Sequence, residues 1–123
     1  MVKTNTAISR YEDLRVWQEA VALVDEIYAL CAKLPKEELF GLSSQMKRAA
    51  ISVPANIAEG HARRSRSEYR QFVYIAVGSL AEVATQVHIA VRLRFVAAED
   101  VQTIEARMEH IRAMLLTLGQ RLQ

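Results

Sequence analysis

The chain has 123 residues, 51% of them hydrophobic and 24% charged, with a formal net charge of +2. That length suits one domain with one core, the aliphatic content excludes intrinsic disorder, and so small a charge does not by itself imply a nucleic-acid partner. Four Gly and two Pro leave few tight turns, which argues against an all-β fold and for long helices.

Residues 1–12 show no apolar period and are expected to form a disordered or extended leader, leaving 13–123 as the folded domain. The first ten residues lack the apolar core and small-residue cleavage site of a signal peptide. The single cysteine, Cys31, has no internal partner for a disulfide. A cytoplasmic location is therefore expected.

The first helix is predicted to begin near Asp13, as N-cap, and to end before Pro35, which disfavours a helical Leu34. Leu14, Trp17, Val21, Val24, Tyr28 and Cys31 recur at alternating spacings of three and four, the seam of a helix bundle. A second stripe, Val16, Ala20, Leu23, Ile27, Leu30 and Leu34, runs beside it. An apolar arc so wide has more surface than one bundle covers, so the first helix is expected to pack against another subunit as well.

The second helix is predicted to start after Gly41 and to run through Met46, Ala49, Ala50, Val53 and Ile57. Pro54 removes the hydrogen bond to the Ala50 carbonyl and predicts a kink. The helix then either stops at Gly60, in a left-handed conformation, or continues to about Arg64. Ser65-Arg66-Ser67-Glu68 reads as a capping box that opens the third helix. Its seam is Tyr69, Val73, Ala76, Leu80, Val83, Val87 and Ala90, and Ala76, Gly78, Ser79, Ala81 and Ala84 would admit a neighbouring helix closely. From Gln71 to Val91 the only formal charge is Glu82. A carboxylate at that depth costs roughly 2.5–3.5 kcal/mol on insertion scales, so a bundle helix is expected rather than a membrane span. After a break around Phe95 to Ala98, Val101, Ile104, Met108, Ile111, Leu115, Leu118 and Leu122 mark a fourth helix. Four amphipathic helices with short connections predict an all-α, antiparallel up-down four-helix bundle.

No Glu-x-x-His pair, glycine-rich phosphate loop, nucleophile elbow or paired-carboxylate pattern occurs. His61, His88 and His110 stand singly, and His88 reads as a bundle histidine near the core stripe. Cys31 continues an apolar seam and reads as core. No metal, cofactor, small-molecule substrate or enzyme activity is therefore expected. The charge placement is more informative. Arg63, Arg64, Arg66 and Arg70 are opposed locally by Glu68 alone, Lys47 and Arg48 lie on the preceding helix, and the first helix leans acidic. These six basic residues are the candidate phosphate-contacting surface, because guanidinium forks suit phosphate oxygens. The other reading is that they are solvated or bind acids of the first helix or of another subunit.

Several blocks resemble a known family in order and spacing. They are Tyr11-Glu12-Asp13-Leu14-Arg15-Val16-Trp17-Gln18, Phe40-Gly41-Leu42-Ser43-Ser44-Gln45, and Lys47-Arg48-Ala49-Ala50-Ile51-Ser52-Val53-Pro54-Ala55-Asn56-Ile57-Ala58-Glu59-Gly60, followed by Ser65, Glu68, Tyr69 and Phe72. Together they resemble the four-helix bundle proteins encoded in 23S rRNA intervening sequences; the fourth helix matches in pattern only. The resemblance implies a bundle often assembled as a homopentamer. It also implies kinship with nucleic-acid-binding accessory proteins of diversity-generating retroelements, and no enzyme activity. Carried over, the motif residues are Arg48, Asn56, Glu59, Gly60 and Glu68. Asn56 and Glu59 are expected to satisfy backbone donors near the Pro54 kink or the start of the third helix, with Glu59 also a partner for Arg48 or Arg63.

Overall fold

In a computed structural model describing residues 10–123, four helices account for most of the chain. They are α1 (Arg15–Cys31), α2 (Leu42–His61), α3 (Arg66–Arg92) and α4 (Gln102–Arg121), and no strand occurs among the described residues. The expected leader lies outside the described residues as far as residue 9. Tyr11–Asp13 form a single 3-10 turn, with the Tyr11 ring edge-on to Trp17 at 5.3 Å. The first helix therefore opens from Leu14, without a side-chain cap, rather than from Asp13.

Neighbours in sequence are neighbours in space, and α1 also packs on α4, closing a four-cornered bundle. Specific contacts give the directions. Cys31, at the end of α1, meets Ser43 and Met46 near the start of α2. Ser52 of α2 pairs with Ser79 of α3 at 2.8 Å. Arg66, at the start of α3, donates to the carbonyl of Arg121 at the end of α4. Each pair runs antiparallel, as short connections require.

The second stripe of α1 lines the core, joined from the first by Cys31 alone. Val16, Ala20, Leu23, Ile27 and Leu30 are buried, whereas Trp17, Val21 and Val24 are half-buried and Tyr28 is 44% exposed. Two stripes at helical spacing are equivalent in one dimension, and the positions of α2 and α4 choose between them. Facing residues are Met46, Ala50, Val53 and Ile57 of α2, Val73, Ala76, Val83 and Val87 of α3, and Ile104, Ile111 and Leu115 of α4.

α2 runs unbroken from Leu42 through Pro54 to His61. Its first free N–H, on Leu42, donates to the Glu38 carboxylate at 3.1 Å. Gly60 is not a left-handed terminus, since no glycine has a positive φ. It is a close-packing residue: a β-carbon there would lie 2.8 Å from Phe72 Cβ and 3.2 Å from the Tyr69 carbonyl oxygen. Ser65 caps α3 by accepting from the Glu68 N–H at 3.1 Å, half of the expected capping box.

α3 ends in a Schellman motif, in which Phe95 N–H bonds the Ala90 carbonyl and Arg94 N–H bonds that of Val91, each at 2.9 Å. Arg94 takes the left-handed position at φ 64°. Of the small residues expected to face a neighbouring helix, Ala76 is buried, but Gly78, Ala81 and Ala84 face outward, as does His88. Gly78 lies about half a turn from the buried stripe, whereas Ala81, Ala84 and His88 flank the groove between α3 and α4. At the other end of the α3–α4 pair, a β-carbon on Gly119 would meet the Tyr74 ring at 2.8 Å, so the glycine admits the tyrosine. By length and composition α3 is the one described helix able to cross a membrane. Here it packs along α2 and α4, with Glu82 at its middle.

Candidate nucleic-acid interface

Because neighbouring helices are antiparallel, the start of α1, the end of α2, the start of α3 and the end of α4 share one end of the bundle. Arg63, Arg64, Arg66 and Arg70 lie there, around the α2–α3 connection. Lys47 and Arg48 do not join them, because α2 carries them about 20 Å away at 1.5 Å per residue. Lys47 also points toward α1, with its ammonium 4.8 Å from the centre of the Tyr28 ring.

The four clustered arginines are unequally engaged. Arg63 pairs with Glu59 at 2.6 Å and stacks over Phe72, its guanidinium 4.7 Å from the ring centre. Glu59 thus holds Arg63, one turn on, rather than Arg48. Arg66 donates to the Arg121 carbonyl, one of the acceptors that a helix C-terminus leaves unpaired. Arg64 and Arg70 make no ion pair among the described residues, and Arg70 borders a shallow groove with Ser67, Gln71, Tyr74 and Ile75.

Three arginines that local sequence did not single out, Arg10, Arg15 and Arg121, stand at this same end. Seven arginines there face four side-chain carboxylates, Glu12, Asp13, Glu59 and Glu68. Glu12 is held below the usual carboxylate range by its own backbone N–H and by Arg10. Arg15 and Arg121 line one groove with Leu14, His110 and Met114. They are separated by nearly the whole chain, so only their helix-end positions combined with the topology would have joined them.

Two acids of α1, Glu19 and Glu26, are bound elsewhere. Arg107 of α4 reaches Glu19 at 2.5 Å and Glu26 at 2.7 Å, and Lys33 reaches Asp100 at 3.1 Å. Those carboxylates therefore do not neutralise the arginine-rich end.

Among the remaining motif residues, Asn56 bonds within its own helix. Asn56 Nδ2 donates to the Ser52 carbonyl at 2.8 Å and to Ser52 Oγ at 2.9 Å, and Ser52 continues to Ser79. Asn56 thus donates one turn back along α2, to Ser52, rather than satisfying backbone donors near the proline. The Cys31 thiol is buried, and burial pushes its pKa up, which suppresses the reactive thiolate. Burial raises Tyr69 likewise. Among the described residues no three His, Cys, Asp or Glu side chains gather with metal-binding geometry. A groove of about 300 Å³ between α3 and α4, with an apolar floor of Val77, Leu80 and Met108, is rimmed by His88, Glu105 and Arg112.

The fold and this end define a four-helix bundle with one arginine-rich pole. The profile of the 23S rRNA-intervening sequence protein family matches residues 12–117, and the chain belongs to that family. Among solved structures, it is similar to the crystal structure of a protein of unknown function from the S23 ribosomal protein family of Bacteroides thetaiotaomicron VPI-5482. The TM-score is 0.78 at 22% identity, covering 85% of this chain and 97% of that one, a likeness of fold. No curated protein matches the chain.

Proposed function

We propose that this protein is a non-enzymatic, cytoplasmic, homo-oligomeric bundle that binds nucleic acid through its arginine-rich pole, RNA being favoured by the family's link to 23S rRNA. The observation that carries the reading is the gathering of arginines from all four helix ends at one pole, while Glu19 and Glu26 of α1 are taken up by Arg107. Arg64 and Arg70 have their donors free of ion pairs among the described residues and are the phosphate-contacting pair of first choice. Arg63 and Arg66 hold the pole together, and Lys47 and Arg48 contribute only where the nucleic acid extends along α2. Such a surface reads charge rather than sequence, so affinity falls steeply with salt.

Fluorescence anisotropy with a labelled RNA hairpin across a salt series tests this. Arg64→Ala/Arg70→Ala is expected to weaken binding about tenfold and to lower the salt slope by about one per lost phosphate contact. Unchanged affinity would remove the pole as the binding site. The internal engagement of Arg63 and Arg66 supports a second reading, a protein-interaction module without nucleic-acid binding. On that reading the same variant alters assembly, and the wild-type protein leaves the RNA free.

A further inference from the structure

α3 has a face that its own bundle does not use. Only 33% of its most apolar stretch is buried. Ile75 and Ile89 are 46% and 38% exposed, and Glu82 is the sole formal charge between Gln71 and Val91. Gly78 lies on this face, and a β-carbon there would meet nothing within 4 Å. A helical glycine is unfavourable relative to alanine, and no intramolecular contact offsets it here.

A second apolar surface lies across the bundle, where α1 and α2 meet. Tyr28, Ile51, Leu39 and Phe40 are exposed there, Phe40 almost completely at 92%, and Lys47 stands among them over the Tyr28 ring. Neither Lys47 nor Glu82 forms an ion pair among the described residues.

The two surfaces match in height along the bundle. The Ser52–Ser79 hydrogen bond sets the level of α2 against α3. At 1.5 Å per residue, Lys47 lies about 7.5 Å and Glu82 about 4.5 Å from that bond, toward the same end. Ile51 lies about 1.5 Å and Ala81 about 3 Å from that bond toward the same end, and the Leu39–Phe40 corner before α2 and Leu93 after α3 both stand at that end. Rotation about an axis parallel to the bundle preserves these heights, so the surfaces meet apolar to apolar and cation to anion.

We propose that the outward face of α3 in one copy seats on the α1–α2 face of the next, with Glu82 against Lys47 and Gly78 admitting the neighbouring helices. The two faces differ and lie on different sides of the bundle, so the contact is head-to-tail rather than two-fold, and it repeats from copy to copy. This rests on the oligomeric part of the proposed function and identifies the surfaces that build it.

Light scattering on the full chain tests the contact. The wild-type protein is expected to exceed the mass of one chain several-fold. Gly78→Leu, whose β-carbon meets nothing in its own bundle, is expected to reduce the mass to that of a single chain with the helical circular dichroism unchanged. Glu82→Lys and Lys47→Glu are each expected to weaken assembly, and the Lys47→Glu/Glu82→Lys double variant to restore it. A wild-type monomer would overturn both this contact and the oligomeric reading. A wild-type oligomer whose mass survives Gly78→Leu and both charge reversals would overturn this contact alone. RNA affinity is read separately on the same samples, so a failure of binding is distinguishable from a failure of assembly.

Discussion

Gly60 and Phe72 approach so closely that a β-carbon on the glycine would stand 2.8 Å from Phe72 Cβ. That approach brings the end of α2 against the first turns of α3 and holds the four-residue connection bearing Arg63 and Arg64.

Gly60→Ala is therefore expected to destabilise the protein although Gly60 is helical. Alanine gains about 1 kcal/mol of helix propensity, but its methyl meets Phe72 Cβ and the Tyr69 carbonyl at 3.2 Å, neither the free end of a flexible side chain. Overpacking of this kind costs about 1–3 kcal/mol. A net loss of about 1 kcal/mol is expected in urea unfolding, and a gain would show that α2 and α3 separate freely at this end.

Arg94→Gly is expected to act in the opposite direction. Arg94 holds φ 64° at the end of α3, a conformation glycine adopts without steric cost. Both Schellman hydrogen bonds are made by backbone groups and survive the substitution. The variant should be about 0.5–1 kcal/mol more stable, read as a higher urea midpoint at unchanged slope.

Asp100 links the α3–α4 connection to acid stability. Its carboxylate accepts from the Ala97 N–H at 2.9 Å and pairs with Lys33, and these hold its pKa below the usual value, the backbone bond contributing most. A carboxyl lowered on folding contributes stability fully above its unfolded pKa, about 3.9. That contribution is lost as pH falls through the lower folded value. The stability difference between wild type and Asp100→Asn should be constant from pH 7 to about pH 5 and shrink below about pH 4. Urea titrations at several pH values measure it, and a difference independent of pH would remove Asp100 as the linked group.

The sequence by itself determined the four helices, their approximate ends and most of the core. Periodicity of apolar residues is local, and so are the stop before Pro35 and the Ser65 cap, because each arises from groups within a few residues of one another. The family was legible in the same way, through contiguous blocks such as Lys47 to Gly60. Tertiary structure alone decided which stripe of α1 faces inward, since Leu14–Cys31 and Val16–Leu34 satisfy the same period and only the placement of α2 and α4 separates them. It also decided that Gly60 serves packing rather than a left-handed turn, because a steric demand set by Phe72 across a helix pair leaves no local mark. The arginine-rich pole divides along the same line. Arg63, Arg64, Arg66 and Arg70 were visible as a run, whereas Arg15 and Arg121 join them, and Lys47 and Arg48 leave them, only because antiparallel helices return distant segments to one end and carry near ones away along the axis.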